Sequence, residues 1–267
     1  MKLLVFLKQV PDTDQLRIDP KTGTPDRDSA PGIMNPCDAH AVETALRLKE
    51  AHGGTVCAIT MGPPQAASVL KEALAMGCDE AHLLSDRTFA GADSLATGSA
   101  LAKAAEQIGG YDLLLFGKCA ADAETAQTGP IVAELLDLPQ VTLAESMELQ
   151  DGWAVCRRDL GTQLQTVKVR LPALVTVTEQ SDHPRYPLPA RIRRVNEYPL
   201  TVWSAADLNC GPDRIGTAGS PSRTQRVYAP EVHALETRWL TGTPEELARR
   251  IADVLEAEHI LERGDAL

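Results

Sequence analysis

Four short apolar runs, each followed by a stretch of helical periodicity, constrain residues 1–140 more than any other feature. The runs are KLLVFL at 2–7, TVCAITMG at 55–62, EAHLLSD at 80–86 and LLLF at 113–116. Each has the length and unbroken apolar character of a strand buried on both faces. After the first, Asn35-Pro36 opens a helix, Asn as N-cap and Pro at its first position. Its apolar face is Ala41, Val42, Ala45, Leu46 and Leu48, and Gly53-Gly54 end it. After the second, Gly62-Pro63-Pro64 lead into a helix that closes at Gly77. After the third, Asp93 or Ser94 starts a helix that ends at Gly109-Gly110. Strands alternating with helices of this length require βαβ units, hence a parallel sheet with right-handed crossovers and helices on both faces. The class is α/β, of the nucleotide-binding type.

The fourth unit, Tyr111 to Pro139, is the one on which ligand chemistry falls. Gly117 breaks the strand, and a polar segment follows with Lys118, Asp122, Glu124, Thr125, Gln127 and Thr128. Helical spacing returns at Ile131, Val132, Leu135 and Leu136. In open α/β sheets the crevice beyond the carboxyl ends of the strands takes ligands, and the N–H groups at a following helix start favour an anion. Most such turns in α/β proteins bind nothing, and no GxGxxG or Walker glycine pattern is present to identify this one.

From Val141 the pattern changes to extended, alternating segments with turns at Asp151-Gly152 and Gly161-Thr162. These predict antiparallel strands added to the sheet, ending in a buried strand at Ala173–Val177. His183 to Pro189 is a stiff, exposed, proline-rich stretch. The expected division is a 1–189 α/β domain and a 190–267 arm with little core of its own, lying on another surface. Thr243-Pro244-Glu245-Glu246 caps a last helix with Leu247, Ile251, Val254 and Leu255 on one face. Residues 13–32 read as an irregular excursion or small hairpin.

Composition excludes several classes. A net charge of −11 opposes nucleic-acid binding, which needs a basic face. No stretch approaches the apolar length of a membrane span, and the amino terminus fits a strand better than a signal peptide. The expected location is the cytoplasm. Six cysteines lie scattered without a CxxC pair, so neither zinc-ribbon nor iron–sulfur spacing exists, and they are read as reduced thiols. No nucleophile–base constellation stands out among the six histidines.

Several segments, in order, resemble the β subunit of electron transfer flavoprotein. They are KQVPD at 8–12, NPCDAHAVETALRLKE at 35–50, MGPPQ at 61–65, ALAMGCDEAHLL at 73–84 and GKCAADAETAQTGP at 117–130. LPALVTV at 171–177, HPRYPLP at 183–189 and TVWSAADL at 201–208 extend the match. The resemblance implies a heterodimer with an α subunit that carries a redox FAD. It implies that this chain shuttles electrons between a redox partner dehydrogenase and acceptors without side-chain acid–base catalysis. Its nucleotide pocket maps onto Phe6, Asn35, Pro36, Cys37, Asp38, Met61, Gly117, Lys118, Cys119, Ala120, Ala121, Asp122, Ala123, Glu124, Thr125, Ala126, Gln127 and Thr128.

In many members that pocket holds AMP. In electron-bifurcating members it holds a second FAD that takes a hydride from NADH. The TAQTGP version of the loop and the KQVPDTDQLRIDPKTGT amino terminus resemble the latter, anaerobe-type members, although Ala123 stands where they have Gly. Ser181 stands where mitochondrial-type members place a leucine that anchors partner dehydrogenases. A stand-alone adenine-nucleotide sensor of the same fold is the competing reading, and the long arm argues against it.

Overall fold

The computed structural model describes residues 1–12, 17–18, 25–26, 30–223, 225, 237 and 239–260. In chain order the strands and helices are β1 (Lys2–Leu7), β2 (Gln9–Pro11), β3 (Arg17–Ile18), β4 (Pro25–Asp26), β5 (Gly32–Met34), α1 (Pro36–His52) and β6 (Thr55–Met61). Then come α2 (Ala67–Met76), β7 (Glu80–Leu84), α3 (Ser94–Ile108), β8 (Leu113–Gly117), α4 (Thr128–Leu135) and β9 (Gln140–Gln150). The remainder are β10 (Trp153–Asp159), β11 (Leu164–Arg170), β12 (Ala173–Val177), α5 (Pro189–Arg193), β13 (Leu200–Trp203) and α6 (Pro244–Ala257). No helix among the described residues is long and apolar enough to cross a membrane.

Nine strands form one sheet in the order β11-β10-β9-β12-β8-β1-β6-β7-β13. From β9 to β13 every neighbouring pair is parallel, and at the other end β10 runs antiparallel to both of its neighbours, β9 and β11. The α/β class and the added antiparallel strands are therefore present. The last buried strand, β12, does not prolong the antiparallel meander; it returns between β9 and β8 and runs parallel to both. Its five residues are all buried, as a central strand requires.

Side chains alternate across β1 and sort into two cores. Leu3, Val5 and Leu7 pack with Ala41, Val42 and Ala45 of α1 and with Leu70, Ala73 and Leu74 of α2. Leu4 and Phe6 pack with Ala100, Leu101 and Ala105 of α3 and with Val132 and Ala133 of α4. Helices thus cover both faces. The chain moves from β1 outward through β6 and β7, then crosses back by way of α3 to β8 on the other side of β1. That reversal makes the β1–β8 boundary the topological switch point, and a crevice opens beyond the carboxyl ends of those two strands.

Residues 190–223, expected as the start of an arm without a core, lie on this α/β unit instead. β13 adds to the sheet edge beside β7, and Ala205, Leu208 and Ile215 are buried in the second core. The chain divides into two compact units, Met1–Val227 and Tyr228–Leu267. In the second unit α6 carries the expected capping box: the Thr243 hydroxyl accepts the Glu246 N–H, and the Glu246 carboxylate accepts the Thr243 N–H at 3.0 Å. Within the 13–32 excursion β3 pairs antiparallel with β4, and β2 and β5 pair antiparallel across its base; residues 13–16, 19–24 and 27–29 lie outside the described residues.

Candidate functional site at the sheet switch point

The crevice is built by one helix start that grips two strand ends. Asn35 and Asp38 flank the first turn of α1, and both side chains are buried. Asn35 does not cap α1 with its side chain, as its position suggests. Its amide instead spans to the loop after β8. Nδ2 donates to the Cys119 carbonyl (2.8 Å), and Oδ1 accepts the Ala121 N–H (3.0 Å). Main-chain pairing of β2 with β5 brings Asn35 into place, its N–H donating to the Lys8 carbonyl at 2.9 Å.

Asp38 takes the N–H of Lys8 on Oδ2 (2.8 Å) and that of Gly117 on Oδ1 (3.2 Å). One carboxyl group thereby staples the ends of β1 and β8 at the switch point. Burial pushes it up to about 7, against the hydrogen bonds from Asn35, Lys8 and Gly117 that favour the charged form. Gly117 is required for this approach. A Cβ there would lie 2.5 Å from Asp38 Oδ1 and 2.6 Å from the Cys37 carbonyl carbon.

The loop is held at two further points. Lys8 Nζ donates to both oxygens of Asp122, at 2.6 and 2.8 Å. Lys118 pairs with Glu179 at 2.8 Å, and Cys37 Sγ donates to the other oxygen of Glu179 at 3.2 Å. Burial and then that hydrogen bond push the Cys37 thiol up to about 12, so it stays protonated and is no nucleophile. Burial acts to raise the Glu179 carboxyl, but hydrogen bonds, foremost from Lys118, outweigh it and hold it at about 2. Lys8 and Glu179 were missed as site residues. Their signal lay in their positions, each just past the carboxyl end of a parallel strand.

Beyond Ala121 the loop faces outward. Ala123 through Gln127 are exposed, and Glu124 and Ala126 adopt left-handed φ of 50° and 53°. Such conformations cost of order 1 kcal/mol or more each and concentrate at functional sites. The start of α4 follows directly: its first intrahelical bond runs from Ile131 N–H to the Gln127 carbonyl, leaving the N–H groups of Thr128 and Gly129 ahead of it. The start of α3 reaches the same loop, with Ser94 Oγ 3.4 Å from Thr125 Oγ1. Asp93 caps α3 by accepting the Leu95 and Ala96 N–H groups, both at 3.0 Å. The start of α4, which has no side-chain cap, creates a setting for anionic oxygen, whereas the start of α3 is already capped by the Asp93 carboxylate. Both nearby lysines are already paired, so main-chain N–H groups and hydroxyls are the donors left for a phosphate.

Phe6 and Phe116 are register partners on β1 and β8 and stack at 4.2 Å with an interplanar angle of 5°. They form the buried floor on the α3–α4 side, with Met61 half-buried against the same core. The structure thus brings Asn35, Cys37, Asp38 and the Gly117–Ala121 turn into one bonded assembly. Pro36 is exposed, and Phe6 is buried as packing. A separate cavity of about 220 Å³, lined by Ser99, Lys103, Cys210 and Arg214 among others, lies between α3 and the 210–215 segment rather than at this crevice.

A doubly wound α/β unit with an anion-favouring loop at its switch point is the class these features define. The electron transfer flavoprotein domain matches residues 22–208, and the chain belongs to the electron transfer flavoprotein family. It is 41% identical over 263 residues to the caffeyl-CoA reductase–Etf complex subunit CarD of Acetobacterium woodii, covering 98% of this chain and 100% of that protein. It is 40% identical to an electron transfer flavoprotein subunit beta of Thermoanaerobacterium thermosaccharolyticum, again over 98% and 100% of the two chains. The protein FixA of Azorhizobium caulinodans is 40% identical, over 88% of this chain and 86% of its own. The resemblance to β subunits of anaerobe-type members therefore holds over the full length.

Proposed function

We propose that this chain is the β subunit of a cytoplasmic, heterodimeric electron transfer flavoprotein that holds an adenine nucleotide at the β1–β8 crevice, FAD in preference to AMP. The observation that carries this reading is the Asn35–Asp38 clamp, which fixes the 117–128 loop while leaving its outer N–H groups open beside the start of α4. Those groups fit a phosphate, and the absence of an unpaired cation in the clamp fits binding through neutral donors. Gly129 lets the start of α4 pack closely on the sheet, since a Cβ there would lie 2.9 Å from Thr176 Cγ2. FAD, when bound, supplies the hydride and electron chemistry; the chain's own residues bind it, orient it and shield it. NADH as hydride donor, and with it bifurcation, is the finer form of this proposal.

Assembly with an α subunit is supported by relatives named as electron transfer flavoprotein subunits and as part of a complex. We read residues 190–267 as the part that packs on that partner, its first segment laid along the α/β unit. No residue of α6 is buried, and Ile251 and Val254 are exposed on it. Residues 181–189 are the surface for a redox partner dehydrogenase. There Arg185 is locked to Glu43 and Glu50 while Tyr186 stands 91% exposed.

The test is to co-express the chain with its α subunit, release the nucleotides by denaturation, and count them. Two FAD and no AMP per heterodimer is the expected result. One FAD and one AMP would keep the pocket but make the subunit a structural element around a single redox flavin. No nucleotide beyond the α subunit's own FAD would refute the pocket.

A further inference from the structure

A second constellation lies at the opposite, amino-terminal end of the sheet. Cys57 on β6 is the register partner of Glu80 on β7, and His82 follows two residues later on the same face as Glu80. The ligand atoms of the three side chains all lie within 4.8 Å of one another. The histidine is unsatisfied by the protein. Its Nδ1 is buried without a hydrogen-bond partner, and its Nε2 stands 3.9 Å from Glu80 Oε2, too far for a good hydrogen bond. A ring so placed is still firmly held, because Trp203 of β13 stacks on it at 4.3 Å.

We infer that Cys57, Glu80 and His82 form a site for one divalent transition-metal cation of the zinc type. The donor set is one thiolate, one carboxylate and one imidazole, the mixture that zinc accepts. Two ligands at the usual zinc–nitrogen and zinc–oxygen lengths sit roughly 3.4 Å apart across a tetrahedral ion. The observed 3.9 Å is close to this, and the widest of the three separations, within 4.8 Å, would close by up to about 1.2 Å on binding. A thiolate and a carboxylate together carry two negative charges, which balance the cation. The Lys2 ammonium lies near both Cys57 and His82. Lys2 itself is engaged, its Nζ donating to the carbonyls of Ile108 (3.2 Å) and Gly109 (3.1 Å) at the end of α3. The Glu80 side chain is 49% exposed, which gives an ion a way in and leaves room for water as fourth ligand. Binding would displace the thiol proton of Cys57 to solvent.

The test uses the full chain, stripped with a chelator and titrated with Co²⁺ as a spectroscopic stand-in for Zn²⁺. The expected result is one equivalent bound, with a thiolate-to-cobalt charge-transfer band and tetrahedral-type visible bands. Cys57→Ser should abolish the charge-transfer band, and His82→Gln should weaken binding by at least about tenfold. Cys210→Ser should change neither. Circular dichroism would show whether each variant is folded; should the Cys57 variant fail, Glu80→Gln at the half-exposed position takes its place and should weaken binding likewise. No stoichiometric cobalt spectrum in the wild type, or a band that persists in Cys57→Ser, would overturn the assignment. The readout is independent of any nucleotide, so its failure leaves the crevice proposal standing.

Discussion

Replacing Asp38 by asparagine keeps the size of the side chain and removes its titration, which isolates the energy stored in the clamp. The carboxyl ionises at 3.8 in an unfolded chain and at about 7 when enclosed. Below pH 4 it is protonated in both states and contributes no pH dependence. Between those values the folded state holds a proton that the unfolded state has lost, so stability falls as pH rises and levels off above pH 7. At about 1.4 kcal/mol per pH unit, the whole span is worth about 4 kcal/mol, and the part between pH 5 and pH 8 about 3 kcal/mol. Subtracting the unfolding free energy of Asp38→Asn from that of wild type cancels every other titrating group. Urea unfolding across this range should therefore show the difference moving by about 3 kcal/mol against wild type as pH rises. The variant also cannot accept both the Lys8 and Gly117 N–H groups, so exchange of those two amides should quicken in it. A difference that stays flat from pH 5 to pH 8 would refute the reasoning, because it would mean the enclosed carboxylate is not penalised.

Other substitutions probe neighbouring parts of the account. Gly117→Ala forces a methyl group against Asp38 Oδ1 and the Cys37 main chain, and should cost about 3 kcal/mol in urea unfolding; a near-neutral result would show that the two strand ends are not tightly joined. Asn35→Ala leaves the Cys119 carbonyl and Ala121 N–H without their partner, at about 2 kcal/mol. Limited proteolysis should then cut within 118–127, and unchanged resistance would remove the clamp role. Arg185→Ala strands the buried Glu43 carboxylate, with a loss of about 3 kcal/mol. Arg185→Lys should not restore it in thermal unfolding, because a single ammonium cannot bridge Glu43 and Glu50 as the guanidinium fork does.

The architecture was legible because it is written in periodicity. Runs such as KLLVFL and ALVTV are buried on both faces and can be little else, while glycines at 53, 77 and 109 mark helix ends that the structure reproduces. The site was legible only in part. Asn35 looks like an N-cap from its neighbours, yet its amide serves residues 84 and 86 positions away, a tertiary bond with no local signal. Lys8 and Glu179 are marked in sequence only by lying just past strand ends. Only the sheet order, which sets β8 and β12 side by side and β1 next to β8, places them around one loop. The insertion of β12 between β9 and β8 was equally hidden, since strand order is fixed by crossovers rather than by pattern. Residues 190–223 misled for a compositional reason. They are rich in Gly, Pro and Ser, but a single short strand and three apolar side chains suffice to seat them on the domain.

The most direct test of the central claim is amide hydrogen exchange on the heterodimer, with its second nucleotide removed and then restored. Nucleotide at the switch point should protect Thr125 to Gly129 and leave the 210–215 cavity unchanged. Protection at Ser99, Lys103 and Arg214 instead, or no change across 117–129, would contradict the account.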